Sequence, residues 1–263
     1  MRDVEILGNK FTDMTVGEFF AELDEIVRAG RSEVVLNTNV HGIHLASKNP
    51  WLREFRNRNR ITHCDGAGVV LGARILGHRV NPRVSLNDFV WDFAAFCAER
   101  GHSLFLLGAR PEVIEDAANA LRRHSPQLRI VGTHHGYFAK SGPETDAVID
   151  LINRACPNIL MVGFGMPIQE AWIKDNAHRL NANVVWAVGG IFDRVAGVVP
   201  LAPKWVMDCG LEWLYLSIKS PRRFIDRYLI ENPIFLSRVL AERLRSLLPP
   251  AAGSSPRGGT GRA

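Results

Sequence analysis

Short apolar runs of strand length recur along the chain at Glu33 to Asn37, Ser103 to Leu107, Leu128 to Val131, Ile159 to Val162 and Asn183 to Val188, with a similar run at Ile61 to Cys64. Between them the apolar positions change to helical spacing. The segment from Pro111 to His124 places Val113, Ala117, Ala120 and Leu121 on one face, and Thr145 to Ala155 follows the same pattern. Strand and helix therefore alternate, which predicts parallel βαβ units and the α/β class: a Rossmann-like, mainly parallel sheet flanked by helices. The texture changes after Pro221, where Phe224, Ile225, Tyr228, Leu229, Phe235, Leu236, Val239, Leu240, Leu244, Leu247 and Leu248 recur at helical spacing with arginines between them. Pro233 is expected to kink or split this stretch. The division that results is an α/β domain over residues 1–220, a basic amphipathic helical appendage over 221–248, and a disordered basic tail over 249–263 rich in Pro, Gly, Ser and Arg.

Most of the strand runs end in polar or glycine-rich turns. These are Asn37 to Asn39, Cys64 to Gly68, Gly108 to Pro111, Gly163 to Gly165, and Gly189 to Asp193. Parallel strands bring such ends to one edge of the sheet, where α/β proteins bind ligands, so the convergence predicts a site there. Gly163 and Gly165 begin what could be a dinucleotide fingerprint. That fingerprint needs a third glycine where Ile168 stands, and Pro167 interrupts the start of the helix, so the pattern argues against NAD and no cofactor is expected.

Charge narrows the partner. A formal charge of +5 and an isoelectric point near 9.3 point to a polyanion: nucleic acid, a nucleotide diphosphate or an anionic membrane. Arginines 222, 223, 227, 238, 243, 245, 257 and 262 load the C-terminal region. The appendage reads either as a docking helix or as an attachment to an anionic membrane surface. A recognisable nucleic-acid module and an aromatic stacking platform are both missing, which disfavours nucleic acid as the partner. The first thirty residues are acidic and carry no apolar signal core, and no apolar run reaches the length of a membrane span. Four cysteines, Cys64, Cys97, Cys156 and Cys209, lie far apart without a CxxC pair, which suits reduced thiols and a cytoplasmic location.

Several side chains at the strand ends have useful chemistry. Asp65 follows a strand run and precedes Gly66, where a carboxylate can act as a general base or simply cap the next helix. Thr38 and Asn39 have short polar side chains suited to orienting a sugar hydroxyl or a phosphate. Gln169 and Glu170 either bind a hydroxyl-rich ligand or belong to an ordinary first helical turn. Asp193 either reads a nucleotide base or ribose or serves its turn. Arg83, Arg222, Arg223 and Arg227 can pair with a diphosphate in bidentate fashion. His41 and His44 lack a nearby third ligand, so no metal site is expected. The chain contains neither an Asp-x-Asp clamp nor a phosphate-loop motif, which argues against a kinase, an ATPase and a metal-dependent transferase.

Seven separated motifs, in order, resemble the WecG/TagA/CpsF glycosyltransferases: Thr38 with Asn39, Cys64 to Gly68, Gly132 to Phe138, Gly163 to Glu170, Gly189 to Asp193, Ala202 to Trp205, and Leu211 to Tyr215. The resemblance runs from about residue 30 to residue 230. It implies an inverting, metal-independent transfer of a hexose or N-acetylhexosamine from a UDP-sugar to a sugar on undecaprenyl diphosphate. The enzyme would then sit peripherally on the inner face of the cytoplasmic membrane, with a homo-oligomer an open option. By resemblance Asp65 is the base, with Thr38 and Asn39 beside it. Arg83, Gln169 and Asp193 match donor contacts, and the glycine turns at Gly108, Gly163, Gly165 and Gly190 belong to the donor crevice. Arg222, Arg223 and Arg227 match arginines that close over the diphosphate. The resemblance implies UDP-N-acetylmannosamine, its uronic acid, or UDP-glucose as donor; Leu201 stands where the family usually has Arg, and Leu86 near a usual Gly, and both departures bear on the sugar pocket and tilt the reading slightly toward the xanthan-type exopolysaccharide glucosyltransferases. The rival readings are a UDP-sugar-binding regulator without turnover and a basic nucleic-acid-binding protein.

Overall fold

The computed structural model describes residues 1–199, 206, 215 and 230–247. The apolar runs become strands β3 (Glu33–Thr38), β4 (Ile61–Cys64), β5 (Ser103–Gly108), β6 (Arg129–His134), β7 (Ile159–Gly163) and β8 (Val184–Ala187). A hairpin that the apolar pattern does not announce precedes them, β1 (Arg2–Ile6) and β2 (Asn9–Asp13). Its turn uses Leu7 and Gly8, both at positive φ. β1 alternates exposed and buried positions along Arg2 to Ile6, so only Val4 and Ile6 signal it.

The helices are α1 (Val16–Arg28), α2 (Val40–Lys48), α3 (Pro50–Arg58), α4 (Ala67–Ile75), α5 (Leu86–Arg100), α6 (Pro111–His124), α7 (Pro143–Ala155), α8 (Ile168–Asn176), α9 (Ile191–Val195) and α10 (Asn232–Leu247). Local chemistry sets several of their boundaries. Thr15 and Glu18 form a reciprocal capping box at the start of α1. Pro50, Pro111 and Pro143 open α3, α6 and α7, where a missing N–H costs nothing.

The strands form one sheet in the order β1-β2-β4-β3-β8-β7-β5-β6. Only the β1–β2 pair is antiparallel; β2–β4 and every later pair are parallel. This is the mainly parallel α/β sheet that the alternating pattern predicts. The chain moves outward from β3 to β4 and then crosses to β5 on the far side, so the direction of winding reverses around β3, β8 and β7. Side chains from β3, β5, β7 and β8 feed clusters on both faces: Val35, Leu104, Met161 and Trp186 on one, Leu36, Phe105, Leu160 and Val185 on the other.

A third cluster joins the hairpin, α2 and α4 to α10, which packs through Phe235 and Val239. The described part of the expected appendage is thus seated on the α/β body. Pro233 falls in the first turn of α10 rather than splitting it; the stretch before residue 230 lies outside the described residues. No helix among the described residues is long and apolar enough to cross a membrane.

Candidate active site

The ends of β3, β4 and β8 open into a cleft of about 310 Å³ lined by, among others, Asn37, Asn39, His63, Asp65, Arg83, Ser85, Leu86, Gly165, Met166, Gly189 and Gly190. The cleft therefore sits where the winding reverses, the position expected of a ligand site in an open α/β sheet. The first residues of α2 and α4, Val40, Ala67 and Gly68, also line it. The positive ends of these two helix dipoles make that wall favourable to an anion.

Asp65 is half-buried in the wall, one residue beyond β4. Its backbone N–H donates to the Thr38 carbonyl at 2.9 Å, which locks the two strand ends together. Asn39 caps α2: its Oδ1 accepts from the Gly42 N–H at 2.9 Å, and its Nδ2 faces Asp65 Oδ2 at 3.5 Å. The cap of α4 is Gly66, with no side-chain cap bond. Of the two readings open for Asp65, the helix cap is therefore not realised, and the carboxylate is left facing the cleft.

His63, two residues before Asp65, is buried against the rings of Phe19 and Trp186. Its Nδ1 lies 2.8 Å from the Val84 carbonyl, and its Nε2 accepts the Trp186 indole N–H at 3.1 Å. These partners fix a neutral tautomer protonated on Nδ1. Burial pushes its pKa down, against a weaker opposing pull from Asp65. Below about pH 6.5 the unfolded chain protonates this imidazole while the folded chain does not. Its contribution to stability is thus full above that pH and is lost as pH falls toward the lower folded value. His63→Gln is expected to flatten the fall in the urea midpoint between about pH 6.5 and 5. An unchanged slope would assign that fall to other groups.

Of the residues singled out in the sequence, Asn39, Asp65, Arg83, Gly165 and Gly190 line the cleft. Arg83 grips Asp88 in a fork, with Nε to Oδ2 at 2.9 Å and Nη2 to Oδ1 at 2.8 Å. Thr38 is buried behind the wall, where its hydroxyl has no partner among the described residues. Gly108 and Gly163 pair with each other at the ends of β5 and β7, behind the lining. Asp193 stands on α9, outside the lining, and its carbonyl accepts the Val199 N–H at 2.9 Å.

Gln169 is placed differently from the expected donor contact. It is fully buried, its Oε1 accepts the Gly189 N–H at 3.0 Å, and its Nε2 donates to Glu170 Oε1 at 3.1 Å. It shapes the Gly189 turn from behind instead of facing the cleft. Arg222, Arg223 and Arg227 lie outside the described residues. Asn37, from the polar turn that ends β3, lines the cleft as well, whereas sequence reasoning did not single out His63, Ser85, Met166 or the pairing of His41 Nδ1 with Glu231 at 2.8 Å, which brings the start of α10 to the cleft. Ser85 was signalled only by lying two residues from Arg83. Among the described residues no group of three or more His, Cys, Asp or Glu is placed to hold a metal.

The family model described as Glycosyl transferase WecG/TagA/CpsF family matches residues 4–248, nearly the whole described chain including the hairpin and α10. The chain belongs to this family. An N-acetylglucosaminyldiphosphoundecaprenol N-acetyl-beta-D-mannosaminyltransferase of Bacillus subtilis (strain 168) is 30% identical over 178 residues, covering 68% of this chain and 67% of the relative. A protein of the same name from Staphylococcus aureus (strain MW2) is 28% identical over 242 residues, covering 90% and 91% of the two chains. The WecG/TagA/CpsF match makes the protein a glycosyltransferase.

Proposed function

We propose that the protein transfers a hexose or N-acetylhexosamine, with inversion and without a metal, from a UDP-sugar to a sugar carried on undecaprenyl diphosphate. The observation that carries this reading is Asp65: a half-buried carboxylate with no capping duty, steadied by Asn39, at the wall where α2 and α4 begin. Asp65 takes the proton from the acceptor hydroxyl as its oxygen attacks the anomeric carbon. The bond from that carbon to the UDP oxygen breaks on the opposite face, and the new negative charge leaves on UDP. The helix N-termini of α2 and α4 and the Arg83 guanidinium, joined by Arg222, Arg223 and Arg227, stabilise that charge in place of a metal.

The lipid acceptor is supported by the names of both relatives, and α10 offers it a surface. Ile234, Leu240, Leu244 and Leu247 are exposed on this helix beside Arg238 and Arg245. Such a face suits a peripheral position on the inner leaflet, where arginines meet anionic lipid. The relatives' names also favour N-acetylmannosamine as the sugar transferred. A second reading, UDP-glucose in exopolysaccharide assembly, is favoured by Leu86. This bulky side chain lines the cleft near the position where the family usually has glycine, and it leaves less room there than a glycine would.

The test is a panel of UDP-sugars with an undecaprenyl-diphosphate-linked acceptor, scored by UDP release and product mass. Turnover with one donor supports the enzyme; binding without UDP release would leave only a UDP-sugar-binding regulator. Leu86→Gly is expected to shift the kcat/KM ratio toward the N-acetylated donor by roughly tenfold or more, the scale of a change in pocket volume. An unchanged ratio would remove Leu86 from donor choice.

A further inference from the structure

One buried guanidinium touches both walls of the cleft. Arg56, on α3, has a side chain only 1% exposed. Its Nη2 lies 3.5 Å from Glu170 Oε1 and 3.4 Å from the sulfur of Met166, which lines the cleft. Glu170 in turn accepts from Gln169, and Gln169 holds the Gly189 N–H. On the other side the guanidinium packs under the first turn of α2. A Cβ on Gly42 would stand 2.7 Å from Arg56 Nη1, and the Gly42 N–H is the group that the Asn39 side chain caps. Asn39 then faces Asp65.

We propose that Arg56 and Glu170 are positioning residues that hold the Asp65–Asn39 wall in register with the Gly189 wall. Stability alone does not explain the pair. Two charges taken out of water rarely add net stability over well-packed apolar side chains of similar volume. This pair is also incompletely satisfied: Arg56 Nε and Nη1 and Glu170 Oε2 have no hydrogen-bond partner among the described residues. What the pair supplies is direction. An apolar substitute fills the space but offers Gln169 no acceptor, so the Gln169 amide loses the contact that aims its Oε1 at Gly189. A misplacement of about 1 Å between a base and a donor site can cost roughly a hundredfold in rate.

The inference rests on the transferase reading, and a readout independent of turnover keeps the two apart. In Arg56→Met/Glu170→Leu the buried charges are gone and the volume is kept. The thermal midpoint is expected to stay within a few degrees of wild type, while kcat falls about 10- to 100-fold with a smaller change in donor KM. Replacing Leu by Gln at position 170 in the same background returns an acceptor to Gln169 and is expected to recover part of kcat. Hydrogen exchange at the Gly189 amide is expected to quicken in the apolar pair and to slow again in the Gln variant. A folded apolar pair with wild-type kcat and wild-type Gly189 protection would overturn the proposal. If the apolar pair does not fold, Gly42→Ala, which pushes on the guanidinium from the other side, decides: lowered kcat supports the strut and unchanged kcat overturns it. If wild-type protein turns over no donor, the transferase reading fails, and Gly189 exchange still tests the strut.

Discussion

Asp65→Asn is expected to lower kcat by about 10²–10⁴-fold while leaving the fold and UDP affinity close to wild type. The substitution is nearly isosteric and leaves the backbone intact, including the Asp65 N–H bond to Thr38. Because Gly66 rather than Asp65 caps α4, no helix end is lost. The change therefore isolates one property, the ability to accept a proton. Neighbouring groups do not compensate. Burial pushes the Cys64 thiol up to about 12, so it stays protonated at neutral pH. His63 has both ring nitrogens engaged, by Val84 and Trp186. Initial rates of UDP release, titration calorimetry with UDP and far-UV circular dichroism on the same preparation check the three parts. Wild-type kcat in a folded variant would remove Asp65 as the base.

The parallel sheet was legible because fully buried strands such as Ser103 to Leu107 and Ile159 to Val162 are continuous apolar runs, and the helices between them keep a single apolar face. Several of their polar ends come together at one sheet edge, where Asn39, Asp65, Gly165 and Gly190 line the cleft together with Arg83. The hairpin escaped because half of β1 faces solvent and reads as charge. Gln169 shows a finer limit. A polar residue just after a glycine turn can face the ligand or turn inward to hold the backbone, and nothing local separates the two. Arg56 was harder still. It lies on α3 among Arg53, Glu54 and Arg58, a segment that reads as a solvated face, and its partner Glu170 is 114 residues away. A buried charge is identified by its partner, and the partner is a property of the fold.

The second large effect concerns Gly163, at the end of β7. Gly163→Ala is expected to lower stability by roughly 1–3 kcal/mol, the scale of forcing atoms into a packed site. A Cβ there would stand 2.7 Å from the Gly189 carbonyl oxygen and 2.7 Å from the Phe192 ring. Neither neighbour gives way easily: Gly189 is tied to Gln169, and Phe192 is 1% exposed within the core. For a chain of this size the loss corresponds to a fall in Tm of about 2–4 °C per kcal/mol. The strain would be relieved by moving the Gly189 and Gly190 turn, which lines the cleft, so UDP-sugar affinity is expected to fall together with Tm. Gly165→Ala is the control. A Cβ at Gly165 meets nothing within 4 Å, and its cost is confined to the positive φ of 82°, about 1–2 kcal/mol. That cost carries no push on the turn from the Gly163 side. If Gly163→Ala keeps wild-type donor affinity once its lower Tm is allowed for, the glycine serves only the packing of β7. If affinity falls in Gly163→Ala by more than in Gly165→Ala, the space beside Gly163 is what lets the β8 turn reach the donor.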